Sequence, residues 1–504
     1  MKTGFDSDKY LREQSEAILE RAAKFGDKLY LEFGGKLICD FHAARVLPGF
    51  DPDAKIKLLQ RLKDKVDIII CIHAGAIEEK KMRADFRVSY DIDTMRTIDD
   101  LRTWGLDVRA VVVTRYCDQP AVKVFLNRLK RRGIKVYTHR PIDGYPTDID
   151  TIASDRGYGA NAYIETERPI VVVTGPGPNS GKMATCLSQV YHEYKRGIKA
   201  GYAKFETFPV WNLPLKHPVN LAYEAATADL GDVNMVDPFQ LEARNEMTVN
   251  YNRDVEIFPV VRRICARIMA PEQLYVSPTE MGVNRVGFAI TDDQAVREAA
   301  LQEIIRRYFR ASCDYAMGDC DKETADRIKL LMDELGVSDT DRKVVLPARK
   351  AAELASKQPD KGSDNIYCGA AIELADGTII TGKNSPLLHA ASSCVLNAIK
   401  YLAGLPDSLP LLSDNVLESV GKLKKEVFRN RQISLSLNET LVALSVSGPA
   451  NPAARMAMAM LPELDGCEMH TSHIPATGDD LGLRRLGIHL TSDPQFTSRN
   501  LFME

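Results

Sequence analysis

The residues with the most chemistry to offer lie in IVVVTGPGPNSGKMATC, positions 170–186. An apolar run ends in a loop carrying Gly175, Gly177, Asn179, Ser180 and Gly181, and Lys182 follows at once. In such a loop the backbone N–H groups and the start of the next helix point at an anion, while the lysine supplies a mobile charge for the outer phosphates. The expected chemistry is capture of a nucleotide or another phosphorylated small molecule, with Lys182 both binding and taking part in catalysis. Three features depart from the common pattern G-x-x-x-x-G-K-S/T. Five residues separate Gly175 from Gly181, one more than the pattern has, as in dethiobiotin-synthetase-like loops. Pro176 and Pro178 each remove an N–H donor. Met183 stands where a hydroxyl would hold magnesium, leaving Ser180 and Thr185 as the nearby oxygens. Transferase or ligase chemistry therefore fits better than ATP hydrolysis. The competing reading is a tight strand-to-helix connection with no ligand.

Two further stretches gather polar groups where ligands bind. After the strand-like KLYLEF come Gly34, Gly35 and Lys36, then Asp40, His42 and Arg45. Ligands of open α/β sheets sit beyond the carboxyl ends of strands, so these residues either line a cleft or pair locally on the surface. G-x-G-x-x-G is absent, and no dinucleotide site follows. The stretch FETFPVWNLPLKHPVNLAYEAATADLGD holds Glu206, Lys216, His217, Asn220, Asp229 and Asp232. Glu206, His217 and Asp229 are its candidates for acid–base work or metal binding, and the alternative is a plain domain connector.

Near the C-terminus, CEMHTSHIP sets Cys467, His470 and His473 at three-residue steps. Zinc prefers such nitrogen and sulfur ligands, and His389 is a further partner or a helix cap. On a strand this spacing sends His470 and His473 to opposite faces, so shared coordination needs a turn between them. Neither complete zinc motif is present. H-E-x-x-H fails in HEYKR because Arg196 takes the second histidine position. H-x-E followed by P-C-x-x-C fails because Ala391 replaces the glutamate and no C-x-x-C follows.

The elements that must position these residues read as follows. SDKYLREQSEAILERAAKFG is an amphipathic helix closed by Gly26. KLYLEF, VDIIICIHA, VRAVVVTRY, IKVYTHR and RPIVVVTG are strands with little alternation, separated by helices such as TMRTIDDLRTWG and PAVKVFLNRLKRRG. That order gives a parallel sheet covered on both faces, doubly wound or similar, over about residues 28–206. From about 262 the chain becomes helical, and PDKGSDN reads as a linker. IYCGAAIELADGTIITGKNS is a hairpin turning at Asp-Gly, and LLHAASSCVLNAIKYLAG a helix. SLSLNETLVALSVSG reads as a strand followed by a helix start or a second strand. The expected divisions are 1–261, an α/β domain holding the 175–183 loop; 262–345, a helical region; and 346–504, a second α/β domain.

Bulk properties narrow the classes. Lys and Arg number 66 against 69 Asp and Glu, so no excess of positive charge argues for nucleic acid or an anionic membrane surface. No run of about 18 apolar residues suggests a membrane span, and MKTGFDSDKY lacks a secretory pattern. Cytoplasm is the expected compartment. The ten cysteines form no C-x-x-C pair and read as reduced, packed thiols.

Much of the chain resembles a known family. LYLEFGGKL, HAARVLPGFDP, GPGPNSGKMATCLSQVYHEYKRGIKAGYAKFETFPVWNLPLKHPVNLAYEAATADL, VNYNRD, EIIRRYFRA, GKNSPLLHAASS and GCEMHTSHIP are similar to a bacterial uncharacterised protein family of about this length. That family is described as a domain of unknown function, and some members carry the label "ATP-dependent zinc protease". The resemblance implies a cytidine-deaminase-like C-terminal subdomain, in keeping with the hairpin and helix above. It implies no reaction, and Arg196 and Met183 give the protease label no support.

Three functions stay open: an enzyme acting on a phosphorylated ligand at the 175–183 loop; a metal-dependent hydrolase using the C-terminal Cys/His residues; and a non-enzymatic metabolite-binding or assembly protein. The cofactor expected is a nucleotide or phosphate, with zinc or magnesium lacking a complete motif. The partners expected are a small phosphorylated ligand and, as the commonest state, a second copy of the chain.

Overall fold

A computed structural model describes residues 3–497 apart from 27, 84–87, 270, 272, 273, 364 and 431. The chain falls into two compact units, residues 1–303 and 304–504. The helices expected within 262–345 are distributed over both, and Asp293–Met317 runs across the division.

The first unit is built on a seven-stranded sheet of β1 (Lys28–Phe33), β2 (Val66–His73), β3 (Val108–Thr114), β4 (Val136–Thr138), β5 (Ile170–Thr174), β6 (Ala200–Phe205) and β7 (Gly282–Val283). The spatial order is β7-β6-β1-β5-β2-β3-β4, and every pairing is parallel. Runs such as Ile68–Cys71 and Val171–Val173 are buried throughout, as a sheet covered on both faces requires. Its helices include α1 (Ser7–Phe25), α2 (Ala54–Arg61), α3 (Tyr90–Thr103), α4 (Pro120–Arg131), α5 (Lys182–Lys195), α6 (Pro218–Ala226) and α7 (Asn252–Ile268). Asp6 caps α1 by accepting from the Lys9 N–H at 2.9 Å, and Gly26 ends it. Facing residues of β1 and β6 pair directly: Phe33 and Phe205 stack at 4.1 Å on one face, while Glu32 sits beside Lys204 on the other.

The second unit carries a four-stranded sheet of β8 (Gly369–Glu373), β9 (Ile379–Lys383), β10 (Glu468–Thr471) and β11 (His489–Ser492), in the order β9-β8-β10-β11. Only the β10–β11 pair is parallel. The expected hairpin is β8–β9. Around the sheet lie α8 (Val345–Ala355), α9 (Ala390–Leu402), α10 (Leu437–Ser447) and α11 (Thr477–Arg485). The segment expected to hold a strand before residue 447 is largely helical. Ser436 and Glu439 form a reciprocal capping box that starts α10, a signal masked by the Leu/Ser alternation ahead of it. No helix among the described residues is long and apolar enough to cross a membrane.

Candidate functional site

The strand order fixes where a ligand would lie. From β1 the chain moves to β2 and on outward to β3 and β4. It then returns to the centre at β5 and proceeds the other way to β6 and β7. Right-handed crossovers in opposite directions put the connections after β1 and β5 on opposite faces, which opens a crevice between these adjacent strands. The loop after β5 is 175–181.

Residues of that loop are held from several sides. Gly181 is left-handed (φ 87°) and caps α5. A Cβ there would lie 2.8–2.9 Å from the Thr114 side chain at the end of β3. Thr114 Oγ1 in turn donates to the Ser180 carbonyl at 2.8 Å. At Gly175 a Cβ would meet the Cys71 carbonyl and Ser180 Oγ, and at Gly177 the Tyr90 phenol, so both glycines are needed for close approach. Asn179 is left-handed as well. Among the described residues, no protein acceptor takes the backbone N–H groups of Asn179 to Ala184. Lys182 lies beside them, its Nζ 3.5 Å from Ser180 Oγ. Of the two nearby hydroxyls, Thr185 is buried with its Oγ1 accepting from Cys71 Sγ at 3.4 Å, and Ser180 Oγ faces Lys182 Nζ.

Next to the loop, on the face covered by α5, is a charged cluster. Tyr202 donates to Glu32 Oε2 at 2.6 Å, and Lys204 Nζ lies 3.1 Å from Glu206 and 2.5 Å from Asp254 at the start of α7. Burial works against the Lys204 charge, but Asp254, Glu206 and Glu32 overcome it and raise its pKa. Burial, with Asp254 and Glu32 adding to it against Lys204, pushes the Glu206 carboxyl up to about 7. Gly34 admits this arrangement, since a Cβ there would lie 2.9 Å from Glu206 Cγ. On the opposite face, Lys55 of α2 is almost fully buried; it pairs with Asp40 at 2.9 Å and donates to the Gly34 carbonyl at 3.3 Å. A Cβ at Gly35 would crowd that lysine's Nζ. Lys36 is half-buried beside them.

Other expected site residues have local duties. His42 Nδ1 is 3.0 Å from buried Glu303, and Arg45 donates to both oxygens of the same carboxylate. Glu303 thus ties His42 and Arg45 down. His217 accepts from the Val219 N–H as the cap of α6, and its Nε2 faces Asp293 at 2.9 Å. Burial lowers its pKa, and both ring nitrogens are engaged. Asp229 is exposed to solvent.

The expected metal cluster does not assemble. Among the described residues no three His, Cys, Asp or Glu side chains are arranged to hold an ion. His470 is buried on β10 against Thr491 Oγ1 (2.9 Å) and Asp493 (3.5 Å), whereas His473 lies past the strand and pairs with Ser472 Oγ. Cys467 donates to the Glu463 carbonyl. Strand alternation and the strand's end separate the three. His389 stands at the N-cap position of α9 with its Nδ1 turned to Asp479 at 2.7 Å instead of capping the helix.

Sequence reading passed over Glu32, Lys55, Lys204 and Asp254. A charged residue inside an otherwise apolar strand, as in LYLEF and GYAKF, is the signal that would have found Glu32 and Lys204. Nothing in the helical pattern of α2 marks Lys55 as buried.

Fold and crevice together define a two-unit α/β protein with a glycine-rich loop at the switch point of a parallel sheet. The chain matches the family models "Domain of unknown function DUF1846, N-terminal" over residues 3–336 and "Domain of unknown function DUF1846, C-terminal" over 340–502. It belongs to that family. Similar relatives include a UPF0371 protein of Clostridium botulinum strain Eklund 17B, 58% identical over 503 residues. Another, from strain Langeland, is 55% identical over 503 residues. Both alignments cover 100% of this chain and 99% of the relative.

Proposed function

We propose that the first unit binds a nucleotide or another phosphorylated small molecule at the 175–183 loop. The observation that carries this reading is the run of uncommitted N–H groups from Asn179 to Ala184, set at the switch point with Lys182 beside it. Such groups, at the positive end of a 14-residue helix, stabilise an anion without reorganising. With Met183 in place of the magnesium hydroxyl and Thr185 occupied, the site favours transferase or ligase chemistry over metal-assisted hydrolysis. Glu206 is the acid–base group closest to hand, in preference to His217 or Asp229. In the second unit, the β8–β9 hairpin followed by α9 supports a deaminase-like arrangement, with Ala391 in place of the proton-carrying glutamate.

A thermal-shift panel of nucleotides, pyrophosphate and sugar phosphates tests the proposal, with Lys182→Ala as control. Ligand at a hundred times its Kd stabilises the folded state by about 2.7 kcal/mol. The wild type should shift and the variant should not. No shift with any member of the panel, or an equal shift in both proteins, overturns the reading.

A further inference from the structure

Register places Glu206 in line with the loop. Glu32 pairs with Val173 on one side and Lys204 on the other, and Phe33 with Phe205. Gly175, Gly34 and Glu206 therefore occupy one row across β5, β1 and β6, at the carboxyl edge. Two strand spacings separate Glu206 from Gly175, roughly 10 Å. The residue between them in the row is Gly34, which carries no side chain.

The cluster around Glu206 is unbalanced in charge. From β1 comes Glu32, from α7 Asp254, and from β6 Glu206 itself, with Lys204 the cation that touches both Asp254 and Glu206. Tyr223 of α6, half-buried, and Tyr251, buried, also face Glu206. Arg253, the other cation nearby, is committed to Asp232. Burial is the leading reason that Glu206 retains its proton, and Asp254 and Glu32 add to it against Lys204, so the carboxyl is pushed up to about 7.

We infer that anion binding at the 175–183 loop is coupled to protonation of Glu206, so that the site takes up its ligand together with a proton. This rests on the loop being an anion site. A dianion on the loop disfavours the ionised carboxylate across the row. Binding then weakens as pH rises through the range where Glu206 loses its proton. The ligand class this favours is a phosphorylated compound whose bound form gains from a neutral acid next to it, able to donate to a developing or fixed negative oxygen. His73, at the end of β2, also titrates at this edge, and burial and Arg115 lower its pKa.

Sulfate is the probe, because it does not titrate near neutrality. Its Kd is measured by calorimetry from pH 6.5 to 8.5 on the full chain, for the wild type, Lys182→Ala, Glu206→Gln and Asp254→Asn. A dianion roughly 10 Å from a carboxylate, at an effective dielectric near 20 and physiological salt, weakens binding about fourfold over that range. The same coupling gives uptake of about 0.3 proton per sulfate at pH 7, read from buffers of differing ionisation enthalpy. Glu206→Gln should bind with no such slope, and Asp254→Asn should move the slope to lower pH. Lysine-dependent binding with an equal slope in wild type and Glu206→Gln, or with no slope in either, overturns the coupling and leaves the anion loop standing. Sulfate binding that is absent, or indifferent to Lys182→Ala, overturns the loop reading itself.

Discussion

Replacing Gly181 by alanine should loosen the loop far more than the same change at Gly197, although the two glycines share a backbone conformation. They flank α5, with φ of 87° and 76°. An L-residue in the left-handed region costs about 1–2 kcal/mol, and alanine recovers about 0.4–1 kcal/mol by restricting the unfolded chain, so Gly197→Ala should cost about 1 kcal/mol. Nothing lies within 4 Å of a Cβ at Gly197. At Gly181 the Cβ would sit 2.8–2.9 Å from three atoms of Thr114, a buried β-branched residue with little rotamer freedom. Making room displaces the hydroxyl that holds the Ser180 carbonyl, about 1 kcal/mol, and overpacking adds a similar amount or more. Gly181→Ala should therefore cost about 3 kcal/mol. The assay is urea unfolding followed by tryptophan fluorescence. The chain's 2 tryptophans, Trp104 and Trp211, both lie in residues 1–303, so the signal reports the first unit alone. Equal losses in the two variants would refute the argument that Thr114 clamps the loop.

Three further outcomes follow from named contacts. Asp40→Asn leaves the Lys55 charge buried without its partner and should cost about 3 kcal/mol or more in the same fluorescence assay. The double variant Asp40→Asn with Lys55→Met should recover at least half of that loss, because the stranded charge is gone. In the second unit, burial works to raise the Asp493 carboxyl, but His470 and Arg349 outweigh it and hold the group at about 2. An aspartate in the unfolded chain titrates near 3.9, so this contribution is complete above about pH 4 and is lost as pH falls toward 2. Hydrogen exchange at β10 between pH 5 and 3 should show this loss in the wild type and less of it in Asp493→Asn. Finally, Cys117 is the exposed cysteine, while most of the others are buried thiols. A disulfide-exchange reagent should react fast with about one thiol per native chain, and Cys117→Ser should remove that phase.

The sequence made the first sheet legible because buried parallel strands read as short apolar runs, and IVVVT and DIIIC are such runs. The loop at 175–183 was legible from its glycines and Lys182. Strand order was not, since hydrophobic pattern says which face is buried and nothing about which neighbour is chosen. β5 returns to the centre of the sheet, and that return creates the crevice. The partners of the histidines were not legible for a related reason. His42 and His217 face Glu303 and Asp293, more than 70 positions away in each case. Glu206 was picked out by its place after a strand, but the partners that set its proton affinity come from three separate elements.

A structure of crystals soaked in tungstate, a phosphate mimic with strong anomalous scattering, tests the central claim most directly. The account predicts an anomalous peak within hydrogen-bond reach of the N–H groups of Gly181 to Ala184 and of Lys182 Nζ, lost in Lys182→Ala crystals. A peak only elsewhere, or a loop whose N–H groups are all taken up by protein acceptors, would contradict it.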